Sequence, residues 1–310
     1  MNILFMGTPG FAVPSLKALN NSEHKVIGVV TVPDKPKGRG LKLAESPVKQ
    51  YAKESGLKLL QPVKLKDEDF INEVKNLNPD LIVVVAFRIL PPEIFNLPEY
   101  GSINLHASLL PKYRGAAPIN WAIINGEKET GVTTFFLKDK VDTGNIIMQK
   151  SVVISDDDNA GSLHDKLMDT GSLVLLETIK LIDEANGNPE IMQQDDTLAS
   201  PAPKIFKDTC KIKWSEPAEK IYNLIRGLSP YPASFTLLNE KVFKIFKTSK
   251  TGLEIKGQAG EIFILENEMI VNCSDKVLRI DELQPEAKRV MKTKEYLAGH
   301  KFSGGERFMY

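Results

Sequence analysis

Residues 80–86 read DLIVVVA, a nearly unbroken run of aliphatic side chains that constrains the fold more than any other segment. A strand without alternating polar residues must be buried on both faces, as in a parallel sheet covered by helices. Further segments alternate around this run, with strand-like patterns at 2–6, 25–32, 101–107 and 131–137 and helical patterns at 12–19, 46–54, 67–77 and 117–125. We predict an α/β domain with a mostly parallel sheet, whose ligands bind at the carboxyl ends of the strands.

The second half of the chain has a different pattern. Between residues 185 and 206, Pro, Gly, Asn and Gln replace periodic apolar residues. We therefore predict a catalytic domain at 1–188, a linker at 189–206 and a second domain at 207–310. A helical pattern with Ser215 as its predicted N-cap opens the second domain. The short strand-like runs that follow, separated by glycine and asparagine, are typical of a small β-barrel.

Composition narrows the functional classes. The formal net charge is zero, so attraction to a polyanion must come from a local patch. Cys210 and Cys273 do not have the spacing of a metal knuckle or a redox pair, and we expect both to be buried and no metal to be bound. The start MNILFMGTPG does not look like a signal peptide, and no run approaches the roughly 20 apolar residues that span a bilayer. We expect a cytoplasmic, monomeric protein that does not bind membranes.

A basic loop follows the second predicted strand. Residues 33–42 read PDKPKGRGLK, with cations at Lys35, Lys37, Arg39 and Lys42. The glycines disfavour a helix, and Lys and Arg on such a loop suit contact with a phosphodiester backbone. A solvated surface loop explains the same charges, and spacing alone favours that interpretation.

Three polar residues in the middle of the chain are candidates for acyl-transfer chemistry. Asn104 and His106 end the strand at 101–107, and because side chains alternate along a strand they face the same side. An amide can donate to a developing oxyanion, and an imidazole can move a proton near neutral pH. Asp142 follows the strand at 131–137, where a carboxylate close to His106 would hold its tautomer. A structural hydrogen-bonded pair and an ordinary turn explain the same residues.

Several motifs resemble those of the folate-dependent formyltransferases. The central motif is GSINLHASLLPKYRGAAPINWAIINGEKETGVT followed by DTGNII, and the others are FMGTPGFAV, VPDKPKGRGLKL with SPVK, and IRGLSPYPAS. The resemblance covers nearly the whole chain and is strongest to the members that formylate the methionine of initiator tRNA. It implies a Rossmann-like N-terminal domain that binds 10-formyltetrahydrofolate and a C-terminal barrel, similar to an OB fold, that contacts tRNA.

The resemblance also implies roles for particular residues. Asn104, His106 and Asp142 match the catalytic group. The residues expected to bind the folate are Phe87, Arg88, Ile89, Leu90 and Pro91, together with Ser108, Leu109, Leu110 and Pro111. Those expected to bind the tRNA are Lys35, Lys37, Arg39, Lys42 and Arg114. No metal is implied, and the partners are the folate co-substrate and initiator methionyl-tRNA.

One departure from the family pattern keeps alternatives open. Relatives usually carry a glycine after the aromatic residue that follows the VVVA strand, whereas here Arg88 follows Phe87 and the loop is shorter. An arginine at that place is also similar to the sugar formyltransferases, so a nucleotide sugar is an alternative acceptor. Hydrolysis of formyltetrahydrofolate without an acceptor is another alternative. The basic loop and the long C-terminal part argue against glycinamide ribonucleotide as the acceptor.

Two alternative functions from other classes of protein have less support in the sequence. A nucleic-acid-binding module with a dead enzyme domain would not need Asn104, His106 and Asp142 intact. A nicotinamide dehydrogenase is disfavoured because residues 7–10, GTPG, are not a GxGxxG fingerprint.

Overall fold

The computed structural model describes residues 1–37 and 42–310, with the side chains of Lys37 and Lys42 left out. The chain forms two compact units, each assembled from separated stretches. The first unit comprises Met1–Gly115, Thr130–Val153 and His164–Ala202, and the second comprises Ala116–Glu129, Ile154–Leu163 and Pro203–Tyr310. The functional domain limits at residues 188 and 206 stay a prediction.

The elements of the described residues are as follows. The strands are β1 (Asn2–Gly7), β2 (Lys25–Val30), β3 (Lys35–Lys37), β4 (Lys42–Ala44), β5 (Leu59–Leu60), β6 (Leu81–Val85), β7 (Ser102–His106), β8 (Arg114–Gly115), β9 (Glu129–Phe136), β10 (Ile146–Val153), β11 (Pro201–Ala202), β12 (Ser234–Leu238), β13 (Lys241–Lys250), β14 (Ile262–Leu265), β15 (Glu268–Asn272), β16 (Val277–Pro285) and β17 (Met291–Lys292). The helices are α1 (Val13–Asn20), α2 (Pro47–Glu54), α3 (Glu68–Leu77), α4 (Pro92–Phe95), α5 (Pro118–Ile124), α6 (Ala160–Glu184), α7 (Ala218–Leu228) and α8 (Thr293–Gly299).

A seven-stranded sheet forms the centre of the first unit, in the order β10-β9-β7-β6-β1-β2-β5. The pairs from β5 to β7 are all parallel, and β9 runs antiparallel to β7. Every residue of β6 is buried, as its continuous apolar run predicts. The predicted α/β fold with a mostly parallel sheet is therefore confirmed.

The helices of the first unit follow the sequence pattern closely at its amino-terminal end. α1, α2 and α3 lie where helical periodicity predicts them. α2 begins after Ser46, whose side chain accepts a hydrogen bond from the backbone N–H of Lys49, and Pro47 occupies the first turn. The helix α6 was not predicted from the sequence. A Cβ at Gly171 of α6 would lie 2.9 Å from the Leu105 side chain, so this glycine lets the helix lie close to β7.

The segment predicted as a linker, 189–206, carries regular structure. Its strand β11 pairs in parallel with β8, and Met192 forms a β-bridge with Ile146. The side chain of Gln194 is buried. Because the segment is rich in proline and polar residues, its composition does not reveal that its backbone completes these pairs.

An antiparallel sheet forms the centre of the second unit, in the order β12-β13-β16-β15-β14 with β17 paired to β16. Residues 306–309 pair with both outer strands. Met309 and Leu237 of β12 exchange two backbone hydrogen bonds, and Ile262 of β14 donates to the carbonyl of Glu306. This segment therefore closes the sheet into the small barrel that the strand spacing predicts.

The core of the barrel is aromatic and aliphatic. Trp214 and Phe308 stack with ring centroids 5.6 Å apart, and both side chains are almost fully buried. Cys273 lies in the same core, and burial raises the pKa of its thiol to about 12. Both cysteines are free and buried, as expected.

The start of α7 differs from the prediction. The helix begins at Ala218 rather than at 215, and Ser215 is not its N-cap. The carboxylate of Asp275 instead accepts the hydrogen bond of the Ala218 N–H across 2.8 Å. A carboxylate 57 positions away in sequence thus stabilises the N-terminus of the helix, which a local capping signal cannot show.

Candidate active site

β7 presents Asn104 and His106 on one face of the sheet in the first unit. Leu105 between them faces the other way, toward α6. His106 is 6% exposed, whereas Asn104 is half-buried. Within the described residues no group hydrogen-bonds to the Asn104 side-chain amide, so its donors are free to meet a ligand.

The imidazole of His106 has one hydrogen-bond partner and one charged neighbour. Its Nε2 lies 2.8 Å from the carbonyl oxygen of Tyr113, and since a carbonyl only accepts, Nε2 carries the proton. Its Nδ1 faces Oδ2 of Asp142 at 3.9 Å, which is too long for a direct hydrogen bond. The backbone of Tyr113 thus holds the Nε2 side of the ring, and the expectation that Asp142 holds the tautomer of His106 stays a prediction.

Asp142 lies in the connection between β9 and β10. Its φ of 56° is left-handed, and its side chain is 10% exposed. Its Oδ2 accepts a hydrogen bond from the N–H of Gly115 across 2.9 Å. The tight turn around it requires Gly144, because a Cβ there would lie 1.5 Å from the carbonyl oxygen of Phe136. The glycine of the Asp-Thr-Gly motif thus holds the carboxylate beside the imidazole.

Gln194 is a residue of the site that the sequence analysis missed. Its side-chain amide donates to the carbonyls of Asp142 and Gly144 at 3.0 and 2.7 Å. Its Oε1 accepts from the guanidinium of Arg114, which also forms an ion pair with Asp196 at 2.7 Å. Arg114 is thus engaged within the first unit, and a role of this residue in tRNA binding stays a prediction.

The loop after β7 holds four of the residues predicted to bind folate. Ser108 is fully buried, and its hydroxyl donates to the carbonyl of Lys112 at 2.6 Å. Leu110 is buried, whereas Leu109 and Pro111 are partly exposed. Ser108 and Leu110 therefore shape the loop from inside, and contact with a ligand stays a prediction for all four.

The segment after β6 holds the other five residues predicted to bind folate, 87–91. Arg88 donates to the carbonyls of Val63 and Pro62, both at 2.9 Å, and its guanidinium lies over the ring of Phe87 at 5.1 Å. Desolvation lowers the pKa of Arg88. Ile89 is 75% exposed, while Leu90 and Pro91 are buried. Arg88 therefore ties this segment to residues 62–63, and Ile89 leaves an apolar surface open.

The basic loop begins and ends in two short strands, β3 and β4, which pair antiparallel. Lys35 is exposed on β3. The predicted tRNA contact Arg39 lies outside the described residues, as do the side chains of Lys37 and Lys42.

Among residues 1–37 and 42–310, no group of three or more His, Cys, Asp or Glu side chains has the arrangement of a metal site. The helices of this part of the chain include none with the length and apolar character needed to cross a bilayer.

The chain matches known proteins over nearly its whole length. The formyl transferase model matches residues 1–179, and the model of the formyl transferase C-terminal domain matches residues 204–301. A methionyl-tRNA formyltransferase of Caldanaerobacter subterraneus subsp. tengcongensis is 50% identical over 98% of this chain and 99% of its own. A methionyl-tRNA formyltransferase of Bacteroides thetaiotaomicron is 48% identical over 98% of this chain and 97% of its own.

A solved structure shares the fold. The N-formyltransferase of Helicobacter canadensis, crystallised with folinic acid and dTDP-3-aminofucose, aligns with a TM-score of 0.69 over 90% of this chain and 98% of its own. Its sequence identity is 24%, so this likeness concerns the fold alone. Because both formyl transferase models match this chain, as do relatives of nearly the same length, the chain belongs to the formyl transferase family.

Proposed function

We propose that this protein transfers the formyl group of 10-formyltetrahydrofolate to the amino group of methionine on the initiator tRNA. The observation that carries the proposal is the meeting of His106 and Asp142, which come from β7 and from the connection after β9 and approach to 3.9 Å. The curated relatives named methionyl-tRNA formyltransferase support this acceptor, since each is covered almost completely.

The residues present fit a formyl donor. The Asn104 amide is half-buried and unpartnered within the described residues, as a donor awaiting an oxyanion should be. Ile89 offers an exposed apolar side chain two positions after Phe87, which suits a flat aromatic ligand. The backbone groups of 87–91 and 108–111 lie at the carboxyl ends of β6 and β7, where such sheets bind ligands.

Asn104 and His106 stabilise the negative charge that develops on the formyl oxygen when the amine attacks. The Nδ2 of Asn104 donates, and Nδ1 of a protonated His106 donates, because Nε2 is already committed to Tyr113. A donor of this kind contributes on the order of 3 kcal/mol to the transition state.

Asp142 acts as the general base that accepts a proton from the amino group of the substrate. Its Oδ2 is engaged by Gly115, and within the described residues its Oδ1 has no donor. Oδ1 accepts a proton from the ammonium group of the substrate, directly or through a water, and the resulting neutral amine then attacks the formyl carbon and forms the new C–N bond. The nitrogen of the new C–N bond then carries one proton more than the amide product, and this proton passes, directly or through a water, to the folate nitrogen as the bond from the formyl carbon to that nitrogen breaks.

The proposal extends to the compartment, the oligomeric state and the tRNA contact of this protein. A tRNA substrate places the protein in the cytoplasm, and the chain acts as a monomer with its folate and tRNA substrates. The cations of the basic loop contact the acceptor end of the tRNA through charge.

The test supplies purified protein with charged initiator tRNA and a formyl-labelled donor. Labelled N-formylmethionine on the tRNA supports the proposal. Parallel reactions with a dTDP-amino sugar, and with no amine at all, measure the rival activities. Transfer to the sugar without transfer to the tRNA, or formate release that the tRNA does not suppress, would refute it.

A further inference from the structure

The base of the basic loop is held by one lysine. Because Lys35 pairs with Ala44 in the β3–β4 ladder, the flanking residues Asp34 and Glu45 lie at the open end of this hairpin. The ammonium of Lys49, on α2, is 2.6 Å from Asp34 Oδ2 and 3.4 Å from Glu45 Oε1. A single cation thus binds both ends of the loop.

A buried pair of hydroxyls places this lysine. Thr31 Oγ1 and Ser46 Oγ lie 2.8 Å apart, and both residues are buried. Ser46 also caps α2 by accepting from the Lys49 N–H, so the helix that carries the lysine starts at a fixed point. The Lys49 side chain is only 12% exposed, which makes its bonds to the two carboxylates stronger than ordinary surface pairs.

Asp34 has a second partner on the other side. Gln61 donates to Asp34 Oδ1 at 3.1 Å and to the carbonyl of Val32 at 2.8 Å. The Lys49 ammonium and the Gln61 amide together hold the pKa of Asp34 below its usual value. Both oxygens of this carboxylate are therefore engaged, one by each neighbouring element.

Gln61 is followed directly by the two residues that Arg88 holds. The guanidinium of Arg88 donates to the carbonyls of Pro62 and Val63, and Arg88 belongs to the 87–91 segment assigned to the folate. Hydrogen bonds and one stretch of backbone therefore connect the folate segment, Gln61, Asp34 and Lys49 to the base of the basic loop.

We propose that Lys49 and Gln61 are positioning residues that join the base of the basic loop to the folate segment, so that one network orients both substrates. The proposal rests on the proposed function. Lys49 acts through Asp34 and Glu45, and Gln61 acts through Asp34. When the base of the basic loop is already held in place, fewer residues have to become ordered as the tRNA binds.

The first test compares Lys49→Met with Lys53→Met. Both remove one positive charge from α2, but Lys53 is 58% exposed and contacts Glu45 alone, at 2.9 Å. We expect Lys49→Met to raise the KM for charged initiator tRNA about tenfold, the equivalent of a lost hydrogen bond between charged groups, with kcat retained. Lys53→Met should have little effect, and Lys49→Arg should restore most of the loss.

The second test compares Gln61→Met with Gln50→Met, which lies exposed on α2. We expect Gln61→Met to raise the KM for the tRNA and also to weaken binding of 5-formyltetrahydrofolate, each by about threefold, the size of one neutral hydrogen bond. Gln50→Met should change neither. Thermal melting of each variant shows that it is folded.

The outcomes distinguish a failure of the proposed function from a failure of this inference alone. If the wild type does not formylate the tRNA, the proposed function and this inference both fall. If the wild type is active but Lys49→Met and Lys53→Met raise KM equally, the lysine contributes only its charge and the inference is overturned. A Gln61→Met effect on one substrate alone would also overturn the joining of the two sites.

Discussion

The imidazole of His106 donates its Nε2 hydrogen to the carbonyl of Tyr113, and this bond decides which nitrogen is available for chemistry. Nδ1 is left to face Asp142. Because the partner is a backbone atom of a residue with a φ of 61°, the conformation of the loop after β7 controls the orientation of the histidine. The loop is thereby part of the arrangement that we propose to be catalytic.

The carboxylate of Asp142 should be essential for turnover. Asp142→Asn retains an oxygen that can accept from Gly115, so the turn is kept while the basic group is lost. We expect kcat to fall by roughly 10²-fold or more, as for loss of a general base, with binding of 5-formyltetrahydrofolate unchanged. Asp139→Asn, an exposed change in the same connection, is the matched control. Near-normal turnover of Asp142→Asn would remove Asp142 from the mechanism.

Asn104→Asp replaces the amide donor with an acceptor of the same shape. The formyl oxygen then loses one of its two proposed donors and meets a negative charge, so kcat should drop by about 10²- to 10³-fold. Steady-state rates with labelled donor measure the effect, and Asn104→Ala separates loss of the donor from the added charge. Equal kcat values for wild type and Asn104→Ala would show that the amide does not act in the transition state.

Arg39→Ala tests the basic loop. Removing one phosphate contact should raise the KM for the tRNA and lower the slope of log affinity against log salt by about one. Binding of 5-formyltetrahydrofolate should not change. The measurement is tRNA binding across a salt series, with Lys180→Ala on the exposed side of α6 as the control. An unchanged slope would contradict contact between Arg39 and a phosphate.

Acid should weaken the closing segment of the barrel. The backbone N–H of Ser303, with further bonds from the Ser303 hydroxyl and the Gly304 N–H, holds the pKa of Glu306 below its usual 4.5. The ionised carboxylate is therefore favoured by folding, so its contribution is complete above 4.5 and is lost as the pH falls through the lower pKa of the folded state.

The corresponding variant is Glu306→Gln. It should lower the melting temperature at neutral pH, and the difference from wild type should shrink as the pH falls below 4.5. Glu254→Gln, at an exposed position of the same unit, should leave the melting temperature unchanged. A difference for Glu306→Gln that stays constant from neutral pH to pH 3 (about 1.5 units below the usual pKa) would contradict this assignment.

The framework of the first unit could be predicted because its signals are local. The run at 80–86 is apolar at every position, and only a strand buried on both faces satisfies it. Ser46 with Pro47 marks the start of α2 in the same way. Such features depend on neighbours within a few residues, so the sequence alone displays them.

The rest of the site depends on long-range contacts. Gln194 supports Asp142 from 52 positions away, within a segment whose composition is that of a linker. Tyr113 acts through its carbonyl, which every residue type has. The approach of His106 to Asp142 was expected from a family resemblance rather than from spacing, which also fitted an ordinary turn.

The closure of the barrel by residues 306–309 has a consequence for how copies of the protein meet. When this segment detaches, β14 loses its outer neighbour and β12 keeps only the bridge between Phe235 and Lys211, so both edges expose unpaired N–H and C=O groups. An open strand edge is a template for pairing with another chain. By pairing with both outer strands, residues 306–309 keep the edges of the sheet from pairing with those of another copy.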